Sequence, residues 1–252
     1  MKKKLKSIVE EYSALLKSVP VVCTVSFVLS VILMNIMANK LLFQLGWLAG
    51  DCGVLVSWVP FLVMDILVKI YGPKAATKLN VFALLCNLFC VCMLGIAAAI
   101  PNSGYENFDY LFGLNGTWFI LLASSIAFVS SGVINNFTNA SIGKLFKNNP
   151  DGKVAYFTRL YVSTFIGQAA DNCIFSMIAY WIFGNYFWGG AFFTGGEGFQ
   201  FTLIQCVGAA VLGAVVELIM EVIFSPIGYK VVNKWKAKGV GKDYLEAYPQ
   251  EV

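Results

Sequence analysis

The chain has 252 residues, of which 58% are apolar and only 13% are charged. Soluble domains carry about a quarter charged residues, so a water-soluble globule is excluded. There is no histidine, which excludes imidazole catalysis and histidine-ligated metal sites, and the net charge of +4 matters less than where the charges fall.

The N-terminal stretch MKKKLKSIVEEYSALLK begins like a signal peptide, but Glu10 and Glu11 interrupt its apolar part and no cleavage site follows. Leu5, Ile8, Val9, Tyr12, Leu15 and Leu16 recur at helical spacing. Residues 1–18 are therefore expected to form a cytoplasmic amphipathic helix on the membrane surface. Six apolar runs follow, at residues 19–43, 54–71, 79–100, 117–146, 154–183 and 199–235. A helix needs about 20 apolar residues to cross a bilayer, and none of the runs has the strict alternation of a barrel strand. The expected fold is an all-α integral membrane protein, a bundle of six transmembrane helices over 19–235 with a cytoplasmic tail at 236–252. The segment 185–201, rich in glycine and aromatics, reads as an external loop.

The basic residues set the orientation. They cluster before run one, around the turn between runs two and three, around the turn between runs four and five, and after run six. That puts 17 of the 18 on one side and leaves Lys40 alone on the other, beside Asp51, Glu106, Asp109 and Glu197. Positive charge marks the cytoplasmic side, so both ends are expected there. The seven cysteines lie mostly in apolar runs without paired spacing and read as small buried hydrophobes.

Polar residues inside the runs are costly, roughly 2.5–3.5 kcal/mol for a charge at mid-bilayer, and usually face a cavity or a partner. Run one carries Asn35 and Asn39 on one face, with Lys40 able to snorkel outward. Run two has Pro60, then Asp65, with Lys69 four residues on. This is either a structural ion pair or a carboxylate beside a broken helix, a common way to build a transport site. Run four has Asn135, Asn136, Thr138 and Asn139, which suggest an aqueous cavity. Run five follows Arg159 with Ser163, then Gln168, Asp171, Asn172 and Phe175, bringing amide, carboxylate and ring to one face. Run six carries Glu217 and Glu221 at i, i+4, where like charges repel unless one is protonated or partnered. Proton coupling, a cation-binding ring of carboxylates, and pairing with Arg159 or Lys69 all remain open. Three cysteines on one run, without histidine, make a poor metal site.

The blocks VSWVPFLVMDILVKIYGPKAATK and RLYVSTFIGQAADNCIFSMIAY, with Asn35 and Lys40 before them, resemble the vitamin uptake transporter family. The matching positions are Asn35, Lys40, Pro60, Asp65, Lys69, Tyr71, Gly72, Arg159, Ser163, Gln168, Asp171 and Phe175, and the resemblance spans residues 26–235. Its YhhQ-type members are queuosine precursor transporters. The resemblance implies a multi-pass protein of the bacterial cytoplasmic (inner) membrane. Its substrate would be 7-cyano-7-deazaguanine, 7-aminomethyl-7-deazaguanine or queuine. Asn35, Asn39, Phe61, Asp65, Asn136, Asn139, Gln168, Asp171, Asn172 and Phe175 are the expected substrate-binding residues. Lys40, Lys69, Arg159, Glu217 and Glu221 are the expected ion-pair or coupling residues. No cofactor, metal, enzymatic activity or nucleic-acid partner is expected. The expected partners are a purine-like small molecule, the lipid bilayer and a second copy in a homodimer. The alternatives are uptake of another vitamin or nucleobase, or service as the substrate-binding subunit of an ATP-driven importer. The chain has no Gly-x-x-x-x-Gly-Lys-Ser/Thr stretch, so no such ATPase lies within it.

Overall fold

The computed structural model describes residues 2–38, 40–100, 118–146, 152–187 and 202–249. These are mostly helical. Helix α1 (Lys2–Ser18) and helix α2 (Val21–Met37) meet at a bend of 106°. Pro20 stands between them. It has no N–H to donate and pushes its predecessor toward extended backbone, so the first helix stops and a second starts. Leu15 and Val19 bury into the core, while Glu11 pairs with Lys78 and accepts a bond from the Tyr244 hydroxyl at 3.2 Å.

Run one was expected to stay helical to residue 43. It ends at Met37 instead, and the chain forms an antiparallel hairpin of β1 (Leu41–Leu45) and β2 (Leu48–Asp51). Leu45 faces Leu48 across a two-residue turn that begins with Gly46 at φ +58°. Gly46, Gly50 and Gly53 explain the switch, since each glycine weakens a helix by about 1 kcal/mol and Gly46 takes the positive φ that the tight turn needs. A lone hairpin is marginal and needs backing. The seventh helix supplies it: Gln205 Nε2 donates to the Gly46 carbonyl at 3.1 Å, and Gly208 lets that helix approach the Trp47 carbonyl closely.

Helix α3 (Val54–Tyr71) is buried almost all round from Pro60 to Val68 and forms the axis of the bundle. Gly72, at φ +85°, ends it, and Pro73 opens helix α4 (Pro73–Ala98) at the position where proline costs least. Helix α5 (Trp118–Gly143) runs into a 3-10 turn (Lys144–Phe146). Helix α6 (Lys153–Phe175) widens into a π-helix (Ser176–Phe187). Helix α7 (Leu203–Ala237) is capped by a reciprocal Thr202–Gln205 box, and the short α8 (Lys242–Ala247) packs back on α1. Helices α3, α5, α6 and α7 pack against one another, with α2 and α4 outside α3 and α5.

Among the described residues, α3, α4 and α7 are long and apolar enough to cross a membrane, and the bent pair α1–α2 makes a fourth if it counts as one span. Helix α6 has 23 residues, but Arg159, Gln168, Asp171 and Asn172 lower its hydropathy, while helix α5 has 26 residues and no charge. The distribution of side chains inverts that of a soluble protein. Val22, Phe89 and Val21 are 79%, 67% and 74% exposed, while Asp65, Asn135, Gln168 and Glu221 are fully buried. Apolar surface outside and polar groups inside suit a lipid environment.

Candidate functional site

Two polar clusters lie along the packed faces of α3, α5, α6 and α7. The first is built on Asp65. Its Oδ1 accepts from Asn139 Nδ2, from Ser163 Oγ at 3.3 Å and from Asn135 Nδ2 at 3.4 Å, and its Oδ2 accepts from Thr164 Oγ1 at 3.0 Å. Asn135 and Asn139 are one turn apart on α5, and Ser163 and Thr164 adjoin on α6, so two helices converge on a third through one carboxylate. Arg159 Nε donates to the main-chain and side-chain oxygens of Asn139, each at 3.2 Å. Lys69 does not bond Asp65. Its ammonium has no hydrogen-bond partner and lies over the Tyr156 ring, 4.4 Å from the centroid. The acceptor positions of Asp65 are already filled by amides and hydroxyls. Glu221 of α7 stands beside Asp65, Lys69 and Thr164.

The second cluster surrounds a cavity. Glu217 accepts from Ser57 Oγ of α3 and from Asn172 Nδ2 at 2.9 Å. Asp171 accepts from Ser131 Oγ at 2.7 Å. Asp51, at the end of the hairpin, accepts from the Tyr180 hydroxyl at 2.8 Å and from the Gly53 N–H at 2.7 Å. Burial pushes the Asp51 carboxyl up to about 6, against these bonds, which favour its charged form. Asn35 of α2 accepts from Ser124 Oγ of α5. Asn35, Asp51, Ser57, Ser124, Asp171, Asn172 and Glu217, with Phe175, line a cavity of about 40 Å³. That is room for a few waters and not for a ring. A more apolar lobe of about 90 Å³ adjoins it, lined by Phe43, Leu55 and Leu212 and sharing Asp51, Val54, Asn172 and Phe175. Three carboxylates thus face one space whose described lining contains no lysine or arginine. No group of three carboxylates or thiols among the described residues is arranged to hold a metal ion.

Local sequence explains the arrangement. Glycine at 213 is required because a Cβ there would come within 2.5 Å of Asn172 Oδ1 and push that amide off Glu217. Phe175 ends the α-helical part of its segment, and the wider π turn that follows brings Tyr180 edge-on to it at 5.2 Å and within reach of Asp51.

The residues expected from sequence divide into groups. Asn35, Asp171, Asn172, Phe175 and Glu217 come together at the cavity. Asp65, Asn139 and Arg159 form the first cluster, with Lys69 and Glu221 beside it. Gln168 is buried between the two, on the face of α6 that carries Thr164 and Asn172, and neither amide atom has a hydrogen-bond partner. Asn136 turns away and donates to Thr77 of α4 at 3.0 Å. Phe61 belongs to the apolar core. Lys40 is exposed, Asn39 lies outside the described residues, and so does 188–201 of the segment read as an external loop. Sequence reasoning missed Asp51, Ser57, Ser124, Thr164 and Tyr180. Thr164 is legible one turn before Gln168, but Asp51 reads as a loop acid because the glycines around it mark a turn without showing that the hairpin folds inward.

No curated protein and no solved structure matches the chain. The model of a family described as "Putative vitamin uptake transporter" matches residues 51–231, from Asp51 through most of α7. The match covers well over half of the chain and takes in both polar clusters, and the chain therefore belongs to the vitamin uptake transporter family.

Proposed function

We propose that the protein is a six-span transporter of the cytoplasmic membrane, with both ends in the cytoplasm, that imports a queuosine precursor. The observation that carries this reading is the cavity: three carboxylates and two amides beside an apolar lobe, with Phe175 between the two parts. A 7-deazaguanine is a flat ring with one donor edge, a ring N–H beside an exocyclic amine. A carboxylate accepts both bonds at once, in the stronger charge-assisted form. Asp171 and Glu217 are the groups suited to that edge. Asn35 and Asn172 suit the ring carbonyl and the remaining nitrogen. Phe175 suits the ring face, where stacking contributes about 1–3 kcal/mol. The aminomethyl precursor adds a cation for which Asp51 is the third carboxylate. The YhhQ-type resemblance points to the same substrates. A space of about 40 Å³ must widen before a ring enters, so loading requires Phe175 or its helix to move.

The test is thermal stability of the purified protein in detergent against 7-deazaguanines, guanine and common vitamins. A ligand that binds the folded state at a hundredfold excess over its dissociation constant adds about 2.7 kcal/mol. A rise with a deazaguanine but not with guanine is the expected result. A rise with a vitamin alone would move the substrate to the class in the family's description.

A further inference from the structure

Glu221 is a buried titratable group that the cavity does not use. It is fully buried on α7, and neither carboxyl oxygen has a hydrogen-bond partner in normal geometry, although Thr164 of α6 and Asp65 of α3 stand next to it. Lys69 of α3 also faces it, and the Tyr156 ring of α6 closes the group beneath the Lys69 ammonium. Arg159 and Lys236 act on Lys69, and Arg159 stands behind Asn139. The charges do not share this space equally. Asp65 already accepts four bonds from amide and hydroxyl donors. Lys69 is the charge that offsets it. Glu221 has no donor in normal hydrogen-bond geometry and shares Lys69 with Asp65, and a buried carboxylate so poorly partnered is strongly disfavoured unless it takes a proton.

A path joins this group to the cavity. Glu217 and Glu221 are one turn apart on α7. On α6, Thr164, Gln168 and Asn172 follow at the same spacing. Thr164 bonds Asp65, and Asn172 bonds Glu217. Gln168 lies between them, fully buried, with both its donor and its acceptor unused. Such an amide can donate and accept at once, so it is placed to hold a water between the two clusters.

We propose that Glu221 is a proton-binding site that couples substrate movement to a proton gradient, with Gln168 linking it to the cavity carboxylates. This rests on the transporter reading above. In each cycle a hydronium ion arriving from the cavity gives its proton to a Glu221 oxygen: one hydronium O–H bond breaks as the Glu221 O–H bond forms, and water is left. On the Lys69 side the Glu221 O–H bond breaks as a water takes the proton and becomes hydronium. With the proton bound, the Asp65–Lys69–Glu221 group is neutral, and without it the group carries one negative charge inside the bundle. Helix α7 therefore meets α3 and α6 on different terms in the two states.

The test uses the full chain in liposomes with the uncharged 7-cyano-7-deazaguanine as probe. With one proton per molecule, an inside-alkaline gradient of one pH unit drives accumulation of up to about tenfold. The expected result is that accumulation in the natural protein. Glu221→Gln should exchange labelled for unlabelled probe at the natural rate but equilibrate to equal concentrations. Glu221→Asp, which keeps the carboxyl, should accumulate. The proposal is overturned if the natural protein exchanges probe without accumulating it, or if Glu221→Gln accumulates as the natural protein does. Liposomes that neither take up nor exchange the probe would count against the substrate reading and not against the proton site. In that case infrared spectroscopy of the purified protein decides. A carbonyl band of an un-ionised carboxyl that Glu221→Gln lacks supports the site, and its persistence in the variant, or its absence from the natural protein at every pH, overturns it.

Discussion

The two clusters hold similar residues and differ in what is left over. Around Asp65, four side chains from two helices converge on one carboxylate, and the described structure leaves it no unfilled direction. Around the cavity, Asp171 has one donor and Glu217 two, while Asp51 takes the Tyr180 hydroxyl and main-chain N–H groups of its own turn. A carboxylate can accept about four bonds, so the second cluster keeps capacity that a ligand can fill. Burial alone does not separate a structural acid from a binding one. The count of unfilled acceptor positions does, together with the space in front of them.

The sharpest way to break this comparison is to remove the saturated acid. Asp65→Ala leaves two amides and two hydroxyls facing a hole, and loss of one partner from a buried charged network costs about 3–5 kcal/mol. The expected outcome is a protein that aggregates or melts far below the natural one when followed by size-exclusion in detergent while heating. A variant that melts normally would mean that water replaces the carboxylate, and the first cluster would then resemble the second.

The next effect is smaller and lies at the cavity. The Asp51 carboxyl titrates near 6 in the folded protein, above its ordinary value of 3.8. As pH rises from about 4, the unfolded chain releases this proton first while the folded protein keeps it, so stability falls until pH passes about 6 and then levels. Two units correspond to at most about 3 kcal/mol, and to less where cavity water reaches the group. The melting temperature should therefore decline over that window in the natural protein and decline less in Asp51→Asn. Equal slopes would place the titration elsewhere.

How much of this was readable in the sequence depended on periodicity. Asp65, Asn135, Asn139 and Asp171 announced themselves as polar residues inside apolar runs, and four-residue spacing put Asn135 with Asn139 correctly on one face. The same rule left Lys69 open. Spacing says that Asp65 and Lys69 can meet, but not that α5 and α6 reach Asp65 first. Asp51 and Tyr180 were beyond any periodic argument. They meet across 129 positions because three glycines turn the chain after α2 into a hairpin and a π-helix resets the register after Phe175. Helix α6 lacks the hydropathy of a lone span because it carries Arg159, Gln168, Asp171 and Asn172.

The last contrast separates affinity from stability. Asp171 is only partly buried and receives one bond, from Ser131, so Asp171→Asn removes a charge without emptying a saturated site. Its stability should change by less than about 1 kcal/mol, the scale of one ordinary hydrogen bond. If Asp171 receives the donor edge of the substrate, the amide loses both the charge and one of the two acceptor oxygens of the fork. Affinity for the responding deazaguanine should then fall about tenfold, equivalent to 1.4 kcal/mol, read by titration calorimetry. A variant that is destabilised as badly as Asp65→Ala would make Asp171 a structural acid. One that binds as tightly as the natural protein would shift the donor edge to Glu217, whose carboxylate faces the same cavity from α7 and keeps acceptor positions beyond the two that Ser57 and Asn172 fill.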